Sequence, residues 1–192
     1  MNNQSLIDQL QSSVNDGIVW VENELLAKDA SVLNFKPTAE QWSVLECLEH
    51  LNRYSRYYNH HLEVAFNKAT NSKAFRPGWL GGYFTRSVAP ENAKPMKTRP
   101  HLNPVGSKLD KGVALEFLEH QRQLLQLLSK ARKANLNKRA IRVEVMPIIR
   151  IKTGDALSFL IAHQDRHLQQ ADRMLRTAEP ATGYPQKSLS GR

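Results

Sequence analysis

Four stretches of this 192-residue chain repeat apolar residues every three or four positions, and that rhythm limits the folds open to it. A helix carrying such a stripe is stable only when the stripe is buried against a neighbouring element. The first stretch spans roughly 5–28, where Ile7, Leu10, Val14, Ile18, Val21 and Leu25 recur before a break at Asn34, Pro37 and Thr38. The second, roughly 43–69, has the clearest start. Ser43 and Glu46 stand at capping-box spacing, and Trp42 and Cys47 at the positions of a hydrophobic staple. The third, roughly 112–133, puts Leu115, Leu118, Leu125 and Leu128 on its buried side. The fourth, roughly 153–178, opens on Thr153 and Asp155, a side-chain cap and a first-turn acid. Four amphipathic helices in sequence predict an all-α four-helix bundle, up-down-up-down, with its second and fourth helices parallel.

The connections are uneven. The one between the second and third helices, about 71–109, is long and contains both proline and glycine. Pro77, Pro90, Pro95, Pro100 and Pro104 fall at intervals that forbid a continuous helix. Its aromatic run GWLGGYF, at 78–84, predicts a packed piece, a short helix or lid. Residues 134–154 read as extended or irregular, with β-branched alternation at 141–145 that suits a short strand. The expected organisation is one domain over 1–180 and a polar, disordered tail over 181–192.

Composition excludes several classes. No apolar run approaches the ~20 residues of a membrane span. The amino terminus shows no secretory signal, and the one cysteine, Cys47, excludes an internal disulfide, so a cytoplasmic location is expected. The net charge of +9 is concentrated in the connections. Residues 73–112 carry eight basic and two acidic side chains, and residues 129–152 eight and one. Such a field suits an anionic partner. Recognition helices and RNA-binding aromatic signatures are lacking, which argues against nucleic acid. Homodimerisation is compatible with large connecting loops, but no residue specifies an interface.

Three histidines carry the chemistry. His163 and His167 form an H-x-x-x-H pair, and at about 100° per residue His167 falls inside the apolar arc of the fourth helix with His163 at its edge. Their Cβ atoms should stand ~6 Å apart, a separation from which two imidazoles meet one metal. His50 sits at the edge of the apolar arc of the second helix, and its depth permits it to join them. His61 also faces inward but lies ~16 Å further along the axis. The same pattern also describes core-edge histidines bonded to carbonyls or tyrosines, and spacing leaves both readings open. Gln164 stands where a metalloprotease would need an acid, which argues against peptidase chemistry.

The stretches KPTAEQWSVLECLEHL, KTRPHLNPVGSKLDKGVALEFLEHQRQLLQLL and LSFLIAHQDRHLQQADRM, in this order, resemble the DinB/YfiT-like superfamily of small helical bundles over about 5–178. The resemblance implies a divalent metal, zinc or nickel, held by His50, His163 and His167. It further implies a metal-dependent enzyme, foremost a thiol-dependent S-transferase that activates a low-molecular-weight thiol such as bacillithiol, or an isomerase of the mycothiol-dependent kind. Competing uses are a metal-dependent hydrolase and a non-enzymatic stress-response or binding protein with a structural metal. Three imidazoles leave a fourth tetrahedral position, as in catalytic zinc sites. A thiol placed there, ordinarily of pKa ~8.5, would be largely thiolate at neutral pH. Around the site, Arg142, Arg150 and Lys152 are candidates to hold an anionic thiol, and Tyr54 to donate a hydrogen bond to the bound ligand. Glu46 and Asp165 are candidates to support the ligand histidines. Cys47 reads as a buried structural thiol.

Overall fold

The computed structural model describes residues 3–67, 74–92 and 97–178. Six helices appear among them: α1 (Asn3–Glu24), α2 (Ala30–Leu33), α3 (Val44–Phe66), α4 (Trp79–Val88), α5 (Gly112–Ala131) and α6 (Thr153–Ala178). A two-stranded antiparallel hairpin, β1 (Arg139–Val143) and β2 (Met146–Lys152), precedes α6. The domain is all-α in character, but six helices overturn the four-helix description. The first expected helix ends early, at Glu24, and a separate turn, α2, follows it. There the Asn34 side chain donates to the carbonyls of Ala30 and Leu109, tying the break to the far connection. The aromatic run of the long connection forms α4. The proposed tail over 181–192 lies outside the described residues.

The strongest local signal holds. Ser43 Oγ accepts from the Glu46 amide at 3.1 Å, and Glu46 Oε2 accepts from the Ser43 amide at 2.9 Å, so the capping box starts α3. At α6 the expected side-chain cap is replaced. Thr153 Oγ1 donates to the Asn135 carbonyl, and the Asp155 carboxylate accepts from the Gly78 amide, joining the start of α4 to that of α6. Gly81 makes this contact close, since a Cβ there would lie 2.3 Å from Asp155 Cβ. On α5 the buried stripe is Ala114, Phe117, Leu118, Gln121, Leu124, Leu127, Leu128 and Ala131. Of the four leucines assigned to it, Leu118 and Leu128 are buried, Leu125 is half-buried, and Leu115 is 58% exposed. The arc turns toward Phe117 and Leu124, where α5 meets α3.

Helix directions differ from the up-down-up-down expectation. Along α3 and α5, Asn52 donates to the Val113 carbonyl, Arg56 pairs with Glu116 and Asn59 donates to the His120 carbonyl, so these two helices run parallel. Along α3 and α6, His50 meets His163 and Tyr54 meets Phe159 while Trp42, just before α3, stacks on His167; they are antiparallel. Helix α1 runs parallel to α6, through Ser13–Asp165 and Trp20–Asp172, and antiparallel to α5, through Asp8–Arg132 and Glu22–Arg122. Two parallel helices consecutive among the long ones require the chain to return the full length of the molecule between them. That requirement explains the length of the 67–111 connection.

The core falls into two apolar clusters. One gathers Tyr54, Tyr58 and Leu62 with Leu157, Leu160, Ile161 and the inward hairpin residues Ile141, Val143 and Ile151. The other gathers Val44, Leu48 and Leu51 with Phe117, Ala171, Met174 and Leu175. On α3 the change of cluster falls between Leu51 and Tyr54, and on α6 between Ile161 and Leu168. His163 and His167 fall within that seam on α6, and His50 stands beside it on α3.

Candidate metal centre

His50, His163 and His167 are 2%, 5% and 9% exposed. Three side-chain ligand atoms, one from each, lie within 4.8 Å of one another. The His50 Nε2 to His163 Nε2 distance is 3.3 Å and that from His167 Nε2 to His163 Nε2 is 3.1 Å. Tetrahedral zinc with bonds of ~2.05 Å places its ligand nitrogens ~3.3 Å apart, so the triad already has nearly that spacing. The helices that bring them together are antiparallel rather than parallel.

The outer ring nitrogens fix the tautomers. His50 Nδ1 lies 2.8 Å from the Leu102 carbonyl, and His167 Nδ1 lies 3.0 Å from Gln170 Oε1. Both partners are acceptors, so both Nδ1 atoms carry the proton and both Nε2 atoms present lone pairs to the interior. These lone pairs converge on a single His163 Nε2. One proton on that nitrogen bonds well with one of them at a time, whereas a cation at the centre accepts all three. His163 Nδ1 is itself buried without a hydrogen-bond partner, so a protein-only network leaves this cluster incompletely satisfied. The donor set therefore fits a divalent ion.

Burial is the main cause of the rings' titration behaviour. It lowers the pKa of His50 to about 4 and of His167 to about 3, and holds His163 well below the ordinary histidine value. Neighbouring rings add to the effect on His163 and His167. All three are neutral at pH 7, the form that binds metal. Aromatic rings enclose them. Trp42 packs on His50 and His167 at centroid distances of 4.7 and 5.5 Å, and Phe159 stacks on His163 at 5.8 Å. Trp42 thus belongs to the wall of the site.

The supporting residues are not those expected. Glu46 is spent on the cap, on Lys36 and on the Gly106 amide, while Asp165 accepts from Ser13 at 2.6 Å. Leu102 and Gln170 take their place. Gln170, three residues after His167, carried a sequence signal; the Leu102 carbonyl, a backbone group, carried none. Cys47 is fully buried, which pushes its thiol pKa up, as suits a structural thiol. Gln164 is buried and faces Gly17 of α1, with its Nε2 3.1 Å from where a Cβ would sit there.

The sequence profile of the DinB superfamily matches residues 23–171, well over half of the chain. The chain belongs to the DinB superfamily. No curated protein and no solved structure matches it significantly. Membership in the DinB superfamily and the histidine cluster together support a metal-associated protein, with a metalloenzyme as the general class. No helix among the described residues of this DinB-superfamily chain is long and apolar enough to cross a membrane.

A cavity of about 290 Å³ opens beside the histidines, all three of which line it. Tyr54 lines it too, and its hydroxyl has no hydrogen-bond partner among the described residues. The cations of this DinB-superfamily cavity are Lys97, Arg99 and Arg166. Arg142, Arg150 and Lys152, proposed from sequence, point elsewhere: their side chains donate to the carbonyls of Pro147, Ala140 and Arg76.

Proposed function

We propose that His50, His163 and His167 hold a divalent ion, zinc or nickel, and that the protein is a thiol-dependent S-transferase. The observation that carries this reading is the convergence of two tautomer-fixed Nε2 lone pairs on a third imidazole beside an open cavity. A metal bound there supplies Lewis acidity at its remaining position, making a thiol ionise at neutral pH.

The chain's own residues supply the rest. Apolar side chains keep water from the nucleophile, and neutral imidazoles add no competing charge. Burial raises the Tyr54 pKa, so its phenol stays protonated and keeps a donor for a ligand in the cavity that Tyr54 lines. With an epoxide as the electrophile, an S–C bond forms as a C–O bond breaks, and the thiol proton ends on the released oxygen. Tyr54 is placed to hydrogen-bond that oxygen.

The test combines metal analysis of the purified protein with conjugation assays across several low-molecular-weight thiols and electrophiles. The expected result is about one divalent ion per chain and turnover, both lost in His50→Ala. A His50→Ala protein with full metal content and full activity refutes the reading. Chelation that lowers the melting temperature of a protein without turnover on any electrophile replaces it with a structural metal site.

A further inference from the structure

The cavity beside the histidines is lined in an unbalanced way. Phe84, Val88, Val143, Val145, Met146 and Phe159 make its wall, and its charged side chains are all cationic: Lys97, Arg99 and Arg166. No carboxylate lines it among the described residues. The cations and the histidines also differ in depth. Lys97 and Arg99 are exposed and Arg166 is half-buried, while the three imidazoles are buried. The cavity thus has a nitrogen-lined floor, an apolar middle and a cationic mouth.

We infer that the cavity takes a small organic anion with an apolar body, its anionic group at the mouth and its opposite, reacting end at the histidine floor. The inference rests on the metal reading above only for which end reacts. At about 290 Å³ the cavity lies at the lower edge of small-molecule pockets, which span ~300–1,000 Å³. It suits a single ring or a short chain.

The mouth is built to receive an anion. One guanidinium nitrogen of Arg99 donates to the Val145 carbonyl at 3.0 Å, and Arg166 Nη1 reaches the carbonyls of Ser87 and Asn92 at 3.5 Å. The Val145 carbonyl aims Arg99 without neutralising it, so this guanidinium keeps its charge and further donors for a ligand. An apolar wall raises the strength of such contacts by lowering the local dielectric. The same cations disfavour a cationic ligand by like-charge repulsion.

The test uses three probes that differ in the head group alone: phenylbutyrate, phenylbutanol and phenylbutylamine. Each is titrated calorimetrically into the full-length protein after metal removal, so that a carboxylate cannot gain affinity by binding the metal. The acid should bind roughly tenfold or more tighter than the alcohol, and the amine more weakly than either. Arg99→Gln combined with Arg166→Gln should bring the acid down to the alcohol and leave the alcohol unchanged. Both positions lie outside the apolar core, and a thermal melt of the double variant checks that it folds. Equal affinity for all three probes, an acid preference that survives the double variant, or no binding of any probe overturns the inference. Metal content of the same wild-type protein before stripping is read separately. Acid binding without metal uptake sinks the metal reading and spares the cavity; metal uptake without acid binding does the reverse.

Discussion

Lowering the pH should unfold the metal-free protein through its buried imidazoles. His50 and His167 have pKa values of about 4 and about 3 in the folded chain and near 6.5 when unfolded, and His163 is also held well below 6.5. The folded values are depressed, so the stabilising contribution is complete above the unfolded pKa. It is lost as pH falls through 6.5 toward 4, because only the unfolded chain takes up protons there. Between pH 7 and pH 5 His50 and His167 each cost about 2 kcal/mol, about 4 kcal/mol together, and His163 adds to the loss in the same direction. That approaches the lower end of the whole stability of a typical domain, about 5–15 kcal/mol. Urea denaturation of metal-stripped protein at pH 7, 6 and 5 measures the loss. Asp155 and Asp165, whose carboxyl pKa values burial raises, act in the opposite sense. The quantity to read is therefore the difference between the wild type and a variant with all three histidines changed to glutamine, in which the carboxylate contribution cancels. Identical pH dependence in those two proteins refutes the reasoning. Saturating metal should hold the wild type folded to lower pH, since metal binds the deprotonated rings and competes with the protons.

Two further perturbations separate positioning from packing. Gln170→Leu removes the acceptor that fixes the His167 tautomer; metal affinity should fall about tenfold or more with the melting temperature of the stripped protein little changed, measured by competition with a chromogenic chelator. Gly81→Val drives a side chain into Asp155, and the misfit should cost about 2 kcal/mol or more in urea denaturation while loosening the cavity wall that α4 supplies through Phe84 and Val88.

The parts of this molecule written into side chains were legible in its sequence. The capping box at Ser43 and Glu46, the long helices and the pairing of His163 with His167 on one helix face follow from residue type and spacing, because each depends on local geometry at a fixed pitch. Spacing left open whether His50 joins that pair, and the family resemblance supplied it. Topology was not legible. Periodicity says that a helix buries a face, not which way its neighbour runs, so the parallel pairing of α3 with α5 had no signal beyond the length of the loop between them. The cations suffered similarly. Arg142 and Arg150 are close in sequence to the start of α6, but cross-strand pairing in the hairpin sets their direction, whereas Arg99 reaches the cavity from the opposite connection. Leu115 shows the limit on a single helix: with leucines on several sides of α5, the buried arc was decided by Phe117 and by the partner helix, not by leucine count.

The crossover that returns the chain from α3 to α5 divides the protein's labour between two kinds of backbone. The three imidazoles stand on long helices, where any shift disturbs both apolar clusters. The Leu102 carbonyl, Lys97, Arg99 and the α4 wall residues stand on the crossover, which carries none of the ligand nitrogens. Insertions or substitutions there can reshape what enters the cavity while leaving the nitrogen donors in place. The same scaffold can therefore be re-tuned to new small molecules by editing one connecting segment, with Leu102 as a point, among the described residues, at which such an edit also touches a histidine of the cluster.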